Sequence, residues 1–413
     1  MTAPLTTPPK RKDPLVRTRA GNVPPGLRSR AARAMAVRAG QGRFVLQVCD
    51  RCAGVTYPPR DRCPRCWGEL SWKDQARGAV VTAETTVRAT IDLFFREHLP
   101  WRIGSVRLDA GPMAIVHLHG DVKQGDRVRM ELRLDRGGAP TLFALPEKET
   151  PNMADDAQLR EFSADPKFRR VLVTDGRSPI GQVVAEALLK SGAQTVFLGN
   201  AEPLMRYPGQ DHIEAIDGIE PVALNLVHTR SCQELAAQMG GRIDIIVNTA
   251  AFARQGGVGF GGKLTDLQTG LDIEVMGLMR LAQAFAPAMS GRSDDGVNSA
   301  VAFVDIVSVH GLTGKTGYAG SAASAAARLS LIASLRGEIA KAGIRVMTVL
   351  TGPVDDEWHQ NVPLPKTAPE QIAKAVIETL VKGQETICAG DIARDVLSRW
   401  QSDPLLTIRE ENQ

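Results

Sequence analysis

Tyrosine is scarce in this 413-residue chain, and none of its three tyrosines is followed four places later by lysine. The residues at that spacing after Tyr57, Tyr207 and Tyr318 are Asp61, Asp211 and Ala322. That excludes a phenol and an ammonium one helical turn apart, an arrangement that acidifies the phenol for proton transfer near neutral pH. Aromatic residues make up 5% of the chain, few for the stacking platforms that hold single-stranded nucleic acid. No apolar run approaches the roughly 20 residues of a membrane span, and Met1 to Pro9 lacks the apolar core of a secretory signal. Six cysteines, four of them in two tight pairs, fit metal binding in a reducing cytoplasm rather than a disulfide framework.

What is present divides the chain. The length exceeds one ordinary core. The net charge of +4 hides an asymmetry, because residues 1–48 hold ten Lys or Arg against one acid, Asp13, leaving about −5 for the rest. Residues 1–25 read as a basic, flexible, Pro-rich arm. Residues 26–40 are Ala- and Arg-rich helix material with Gly40 as a stop, and four arginines there, Arg28, Arg30, Arg33 and Arg38, offer a surface to an acidic partner or to phosphates. A Cys- and Pro-rich stretch completes a first unit over 26–76. Residues 77–147 alternate in the manner of strands, 148–167 form a polar, acidic linker, and from 168 short apolar strands alternate with longer helices. That last pattern predicts a doubly wound α/β domain with a parallel sheet over 168–413.

The cysteine pairs share one form, Cys49-Asp-Arg-Cys52-Ala-Gly54 and Cys63-Pro-Arg-Cys66-Trp-Gly68. Two intervening residues let a turn aim both thiolates at one tetrahedral ion, and the spacing predicts the trailing glycines in the left-handed conformation that closes each knuckle. Four thiolates (Cys49, Cys52, Cys63, Cys66) fill the coordination sphere of one zinc ion, so the ion is structural. With Phe44-Val-Leu-Gln-Val-Cys before the first pair, Tyr57-Pro-Pro between them, and Trp72, Gly125-Asp-Arg-Val128 and Phe143-Ala-Leu-Pro146 after, the stretch resembles the rubredoxin-like zinc ribbon and OB fold of the acyl-CoA-associated DUF35 proteins. The resemblance implies an accessory role: such proteins serve as small subunits of thiolases, hydroxymethylglutaryl-CoA synthases and steroid side-chain aldolases, supporting an acyl-CoA site without supplying its nucleophile. Zinc ribbons and OB folds also bind nucleic acid, but here Phe94, Phe95 and Trp101 lie beside Asp92 and Glu97 rather than in a basic stripe.

Phe168 to Gly181, a strand, a tight loop and a helix start, resembles the Thr-Gly-x-x-x-Gly-x-Gly of the short-chain dehydrogenases/reductases, with Asp175 and Pro179 at the first two glycine positions. The resemblance marks Thr174, Gly176, Gly181, Asn225 and Asn248 as the positions where NAD(P) would bind. Asp175 brings negative charge toward a phosphate and Pro179 removes a donor. Ser308 aligns with the family's catalytic serine. Ser321 and Ala325 stand at its Tyr and Lys positions, and Glu274 stands at the Asn of its proton relay. Tyr318, His310 and Lys315 are the nearby residues weighed as replacements, the last two as loop residues. Small residues along 321–341 leave room for close helix contact, and the family pairs through that helix and its neighbour at 264–289.

Three readings follow. The first is a non-catalytic subunit of an acyl-CoA degradation complex, docking on a thiolase-fold or aldolase-type enzyme and forming a homodimer, or a heterodimer with an active short-chain dehydrogenase. The second is an NAD(P)-dependent 3-hydroxyacyl-CoA dehydrogenase with a non-standard acid. The third is a nucleic-acid-binding module.

Overall fold

A computed structural model describes residues 1–8, 23–26, 29–292 and 300–413. Most of the expected basic arm, and Arg28 with it, lies outside the described residues. The helix expected over 26–40 runs Arg30–Gly40, capped by Ser29, whose side chain accepts the Ala32 N–H.

Three sheets follow. β1 (Val45–Cys49) pairs antiparallel with β2 (Val55–Thr56) and β3 (Leu70–Asp74) to make the ribbon. β4 (Gly78–Val87), β5 (Trp101–Leu108), β6 (Met113–Leu118), β7 (Arg127–Leu134) and β8 (Pro140–Pro146) close into a barrel in the order β4-β5-β6-β8-β7. Their alternating residues, among them Val81, Val106, Leu118 and Met130, fill the barrel.

The third sheet is parallel throughout: β9 (Arg170–Val173), β10 (Thr195–Asn200), β11 (Ile219–Ala223), β12 (Ile245–Asn248), β13 (Ala302–Ser308), β14 (Arg345–Thr351) and β15 (Thr386–Ala389), in the order β11-β10-β9-β12-β13-β14-β15. β12 and β14 are buried along their whole length, as strands covered by helices on both faces must be. The strand order reverses between β9 and β12, which opens a crevice at their carboxyl ends.

Residues 148–167, expected as a polar linker, are woven into the seam between barrel and sheet. Leu159 and Phe162 bury against Trp101 and Phe143, and the Ala164 N–H donates to the Leu380 carbonyl at 2.7 Å. Arg345, at the start of β14, donates across the seam to the carbonyls of Leu134 (3.1 Å), Asp135 (3.2 Å) and Glu161 (3.2 Å). The Glu385 N–H reaches the Gly40 carbonyl at 2.8 Å. Among the described residues, no helix is long and apolar enough to cross a membrane.

Candidate functional site

The ribbon brings Cys49, Cys52, Cys63 and Cys66 together, with all four Sγ atoms within 4.8 Å of one another. Cys49 and Cys66 are 3.4 Å apart and Cys52 and Cys63 3.7 Å. Zinc–sulfur bonds of about 2.3 Å set a tetrahedral edge of about 3.8 Å, so the donor set fits one zinc ion with no position left for substrate. The Cys52 N–H, 3.5 Å from Cys49 Sγ, leads the interactions that draw that thiol down to about 6, while against the Gly68 N–H the neighbouring thiols push Cys66 up to about 12.

The expected role of the glycines needs correcting. The left-handed residues are Ala53 (φ 55°) and Trp67 (φ 59°), not Gly54 and Gly68. Each knuckle closes as the left-handed residue donates back to the first cysteine's carbonyl (Ala53 to Cys49, 2.9 Å; Trp67 to Cys63, 3.0 Å) and that cysteine's N–H reaches the glycine carbonyl. Space favours glycine at the second knuckle, where a Cβ on Gly68 would stand 3.0 Å from Cys49 Sγ, whereas one on Gly54 would make ordinary contacts at 3.4 Å.

The second site is the crevice at the carboxyl ends of the parallel strands, a cavity of about 1030 Å³. Ser308 ends β13 and its Oγ accepts the His310 N–H at 3.3 Å. Ser321 and Ala325 lie on the Ala319–Ile339 helix and line the same cavity. Ala325 is buried against Gly311, so the family's Lys position is packed and uncharged. Glu274 sits in a π-helical segment, Leu271–Met276, set between the Leu264–Gly270 and Gly277–Arg292 helices. Its Oε1 accepts the Phe252 N–H at 2.9 Å, and burial pushes its carboxyl up to about 7 although Arg328 lies 3.8 Å away.

Arg328 escaped the sequence reading. It is 2% exposed, one turn beyond Ala325, and is the cation nearest the lost Lys position on that helix. Its donors are spent within the fold. Nε and Nη2 pair with the Asp305 carboxylate, Nη2 also donates to the Ile306 carbonyl (2.9 Å) and Nη1 to the Ala250 carbonyl (3.4 Å). Arg328 neutralises Asp305 and holds the floor of the cleft, and Tyr318 is no nearer to being activated. Tyr318 donates to the Trp358 carbonyl at 3.2 Å, and burial moves its phenol up, away from the working range. The His359 ring stacks on it, with Nδ1 2.7 Å from Asp356 Oδ1, an i,i+3 pair that an alignment of the Tyr and Lys positions passes over. His310 is held neutral, its imidazole pulled down to about 4 by burial, while Lys315 pairs with Glu411 at 3.1 Å.

Of the expected cofactor positions, Thr174 and Asn225 line the cavity. Gly176 and Gly181 shape the turn between β9 and the Pro179–Lys190 helix, where a Cβ on Gly181 would collide with the Asp175 carbonyl at 1.7 Å. Asn248 is locked one layer below, between Thr174 Oγ1 (2.8 Å) and Asp305 Oδ1 (2.7 Å). The turn does not suit a dinucleotide diphosphate: Asp175 Oδ1 accepts the Arg177 N–H at 3.0 Å, Ser178 Oγ accepts the Gly181 N–H at 3.0 Å, and Pro179 has none to give.

Comparison with known proteins agrees with this division. Residues 38–71 match the rubredoxin-like zinc ribbon domain of ChsH2, residues 72–133 its C-terminal OB-fold domain, and residues 169–366 the short chain dehydrogenases. An uncharacterised oxidoreductase of Staphylococcus aureus is 26% identical over 220 residues, 51% of this chain and 90% of its own length. One from Staphylococcus saprophyticus is 27% identical over 221 residues, 51% and 89% respectively. A short chain dehydrogenase of Burkholderia cenocepacia, solved in complex with NADP, shares the fold with a TM-score of 0.53 at 24% identity, covering 60% of this chain and 99% of that one. A Streptomyces avermitilis short-chain dehydrogenase gives 0.50 at 22%, covering 59% and 95%. The chain therefore joins a zinc ribbon and OB fold of the ChsH2 type to a short-chain dehydrogenase domain.

Proposed function

We propose that this chain is a non-catalytic accessory subunit of an acyl-CoA degradation system, its ribbon and barrel supporting a thiolase-fold or aldolase-type enzyme. The pairing of ChsH2-type domains with a dehydrogenase domain supports a connection to oxidoreductase-linked acyl-CoA metabolism. The observation that carries the non-catalytic reading is Arg328: the cation near the lost Lys position is consumed by Asp305 and backbone carbonyls, so nothing acidifies a proton donor at Ser321. The dehydrogenase half acts as a pairing surface, with itself or with an intact short-chain dehydrogenase, through the 264–292 and 319–339 helices. Leu264, Met276 and Met279 stand exposed on the first of these.

The test is co-expression with a thiolase-fold enzyme and an intact short-chain dehydrogenase encoded beside it, followed by size-exclusion chromatography with light scattering. A stable assembly is expected, with a partner that gains acyl-CoA activity or solubility. A lone monomer that changes neither neighbour ends this reading.

One observation favours a second reading, in which the cleft remains catalytic. Glu274 lines the same cavity as Ser308 and Ser321, and its carboxyl, near 7, is suited to exchange a proton at neutral pH. Turnover of 3-hydroxyacyl-CoA or 3-oxoacyl-CoA by the purified chain, abolished by Glu274→Gln, would establish it.

A further inference from the structure

Backbone N–H groups at a strand-to-helix turn form a concave nest that draws in an anion. In this chain the nest between β9 and the Pro179–Lys190 helix is addressed by one of its own side chains. The Asp175 carboxyl accepts the Arg177 N–H at 3.0 Å, and its pKa is raised because burial outweighs the Arg177 and Ser178 N–H groups that favour the charged form. Three further N–H groups of the turn are committed too. Asp175 N–H donates to Thr249 Oγ1 (3.0 Å), Gly176 N–H to the Gly199 carbonyl (2.7 Å) and Gly181 N–H to Ser178 Oγ (3.0 Å). Arg177, the cation at the rim, is paired with Glu202. A diphosphate entering here would meet a carboxylate already in the nest, a second one across the rim, and a proline where a donor is needed.

We propose that the Asp175 carboxyl occupies the phosphate nest from within, so that the cleft excludes nicotinamide dinucleotides. The cavity persists because the sheet and helices that wall it are fixed by their own packing, independent of the nest's occupant. This goes beyond the accessory reading and is separable from it: an accessory subunit that bound a dinucleotide would keep that reading and lose this one.

The experiment is binding, not turnover. NADH and NADPH are titrated into the full zinc-loaded chain, followed by nicotinamide fluorescence and by calorimetry, for the wild type, Asp175→Asn, Asp175→Gly and Asp175→Gly/Pro179→Gly. The wild type is expected to show no saturation to about 1 mM. The double glycine variant is expected to bind at least tenfold more tightly, with Asp175→Asn between, since it retains the turn and loses the charge. Circular dichroism and melting identify any variant that fails to fold, and Asp175→Asn, the most conservative change, then decides. Micromolar binding of either nucleotide by the wild type overturns the proposal. So does a folded Asp175→Asn and a folded glycine variant that both bind no better than wild type.

Discussion

The zinc ribbon and the crevice of the parallel sheet differ in the groups they bring together. In the ribbon, four cysteines, two left-handed residues and two glycines crowd a space a few ångströms across, and each is present with the geometry a metal needs. In the cleft the scaffold is intact, a seven-stranded parallel sheet with its crevice in place, while the groups that would work there are Ser321, Ala325 and Asp175. The difference follows from what holds each together. The start of the ribbon shares the barrel's core through Phe44, Val45 and Leu46, while the two knuckles have little apolar burial of their own and depend on their ligands. The sheet is held by dozens of buried apolar residues, with Ala325, at the family's Lys position, among them.

The sharpest way to break the comparison is at the ribbon. Cys63→Ser should abolish stoichiometric zinc and loosen the two knuckles, since metal binding in such modules is worth on the order of 10–16 kcal/mol. Elemental analysis and hydrogen exchange read both effects, and unchanged zinc would refute the four-thiolate site. In the cleft, Arg328→Ala should cost about 3–5 kcal/mol by leaving Asp305 buried and unpaired. A melting temperature near wild type would mean that Arg328 is not the structural cation described above.

Smaller, and opposite in sign, is the effect of Glu274. Its folded pKa, about 7, lies above the ordinary carboxyl value of 4.5, so the fold holds its proton longer than the unfolded chain does. Its contribution is greatest below pH 4.5, declines as the pH rises toward 7, and is level above that. Glu274→Gln should flatten the fall in melting temperature between pH 5 and 7.5, and parallel curves for the two proteins would reject the raised carboxyl. The smallest expected effect is none: Ser321→Tyr/Ala325→Lys should restore no NADH- or NADPH-dependent turnover of 3-oxoacyl-CoA, because the nest is still filled. Turnover in that variant would show that two side chains were all the cleft lacked.

The sequence was most readable where spacing alone sets geometry. Cys-x-x-Cys pairs and βαβ alternation are local patterns, and the absence of a Tyr and a Lys at fixed intervals is visible without coordinates. Misreading began where a residue's role depends on its neighbours in space. The glycine of each knuckle looked like a conformational requirement, but neither is left-handed, and at Gly68 the constraint is steric because the crowding sulfur comes from Cys49, nineteen residues earlier. Arg328 was unremarked since its partners, Asp305 of β13 and the Ala250 carbonyl in the loop after β12, are distant in sequence. Arg345 was invisible for the same reason, its acceptors lying about two hundred residues away. The family resemblance implied the helix around Glu274, whereas its π-helical segment is a detail of hydrogen bonding that neither resemblance nor apolar patterning encodes.

The position of Arg345 bears on how the whole chain transmits position. β14 starts at the seam, with Arg345 tied to three carbonyls of the barrel half, and ends at Thr351 in the wall of the cleft. Seven residues at about 3.3 Å each span roughly 20 Å of stiff strand. A protein gripping the barrel and a molecule lodged in the cleft would thus be surveyed from opposite ends of one ruler, their separation fixed when the chain folds rather than renegotiated at each encounter.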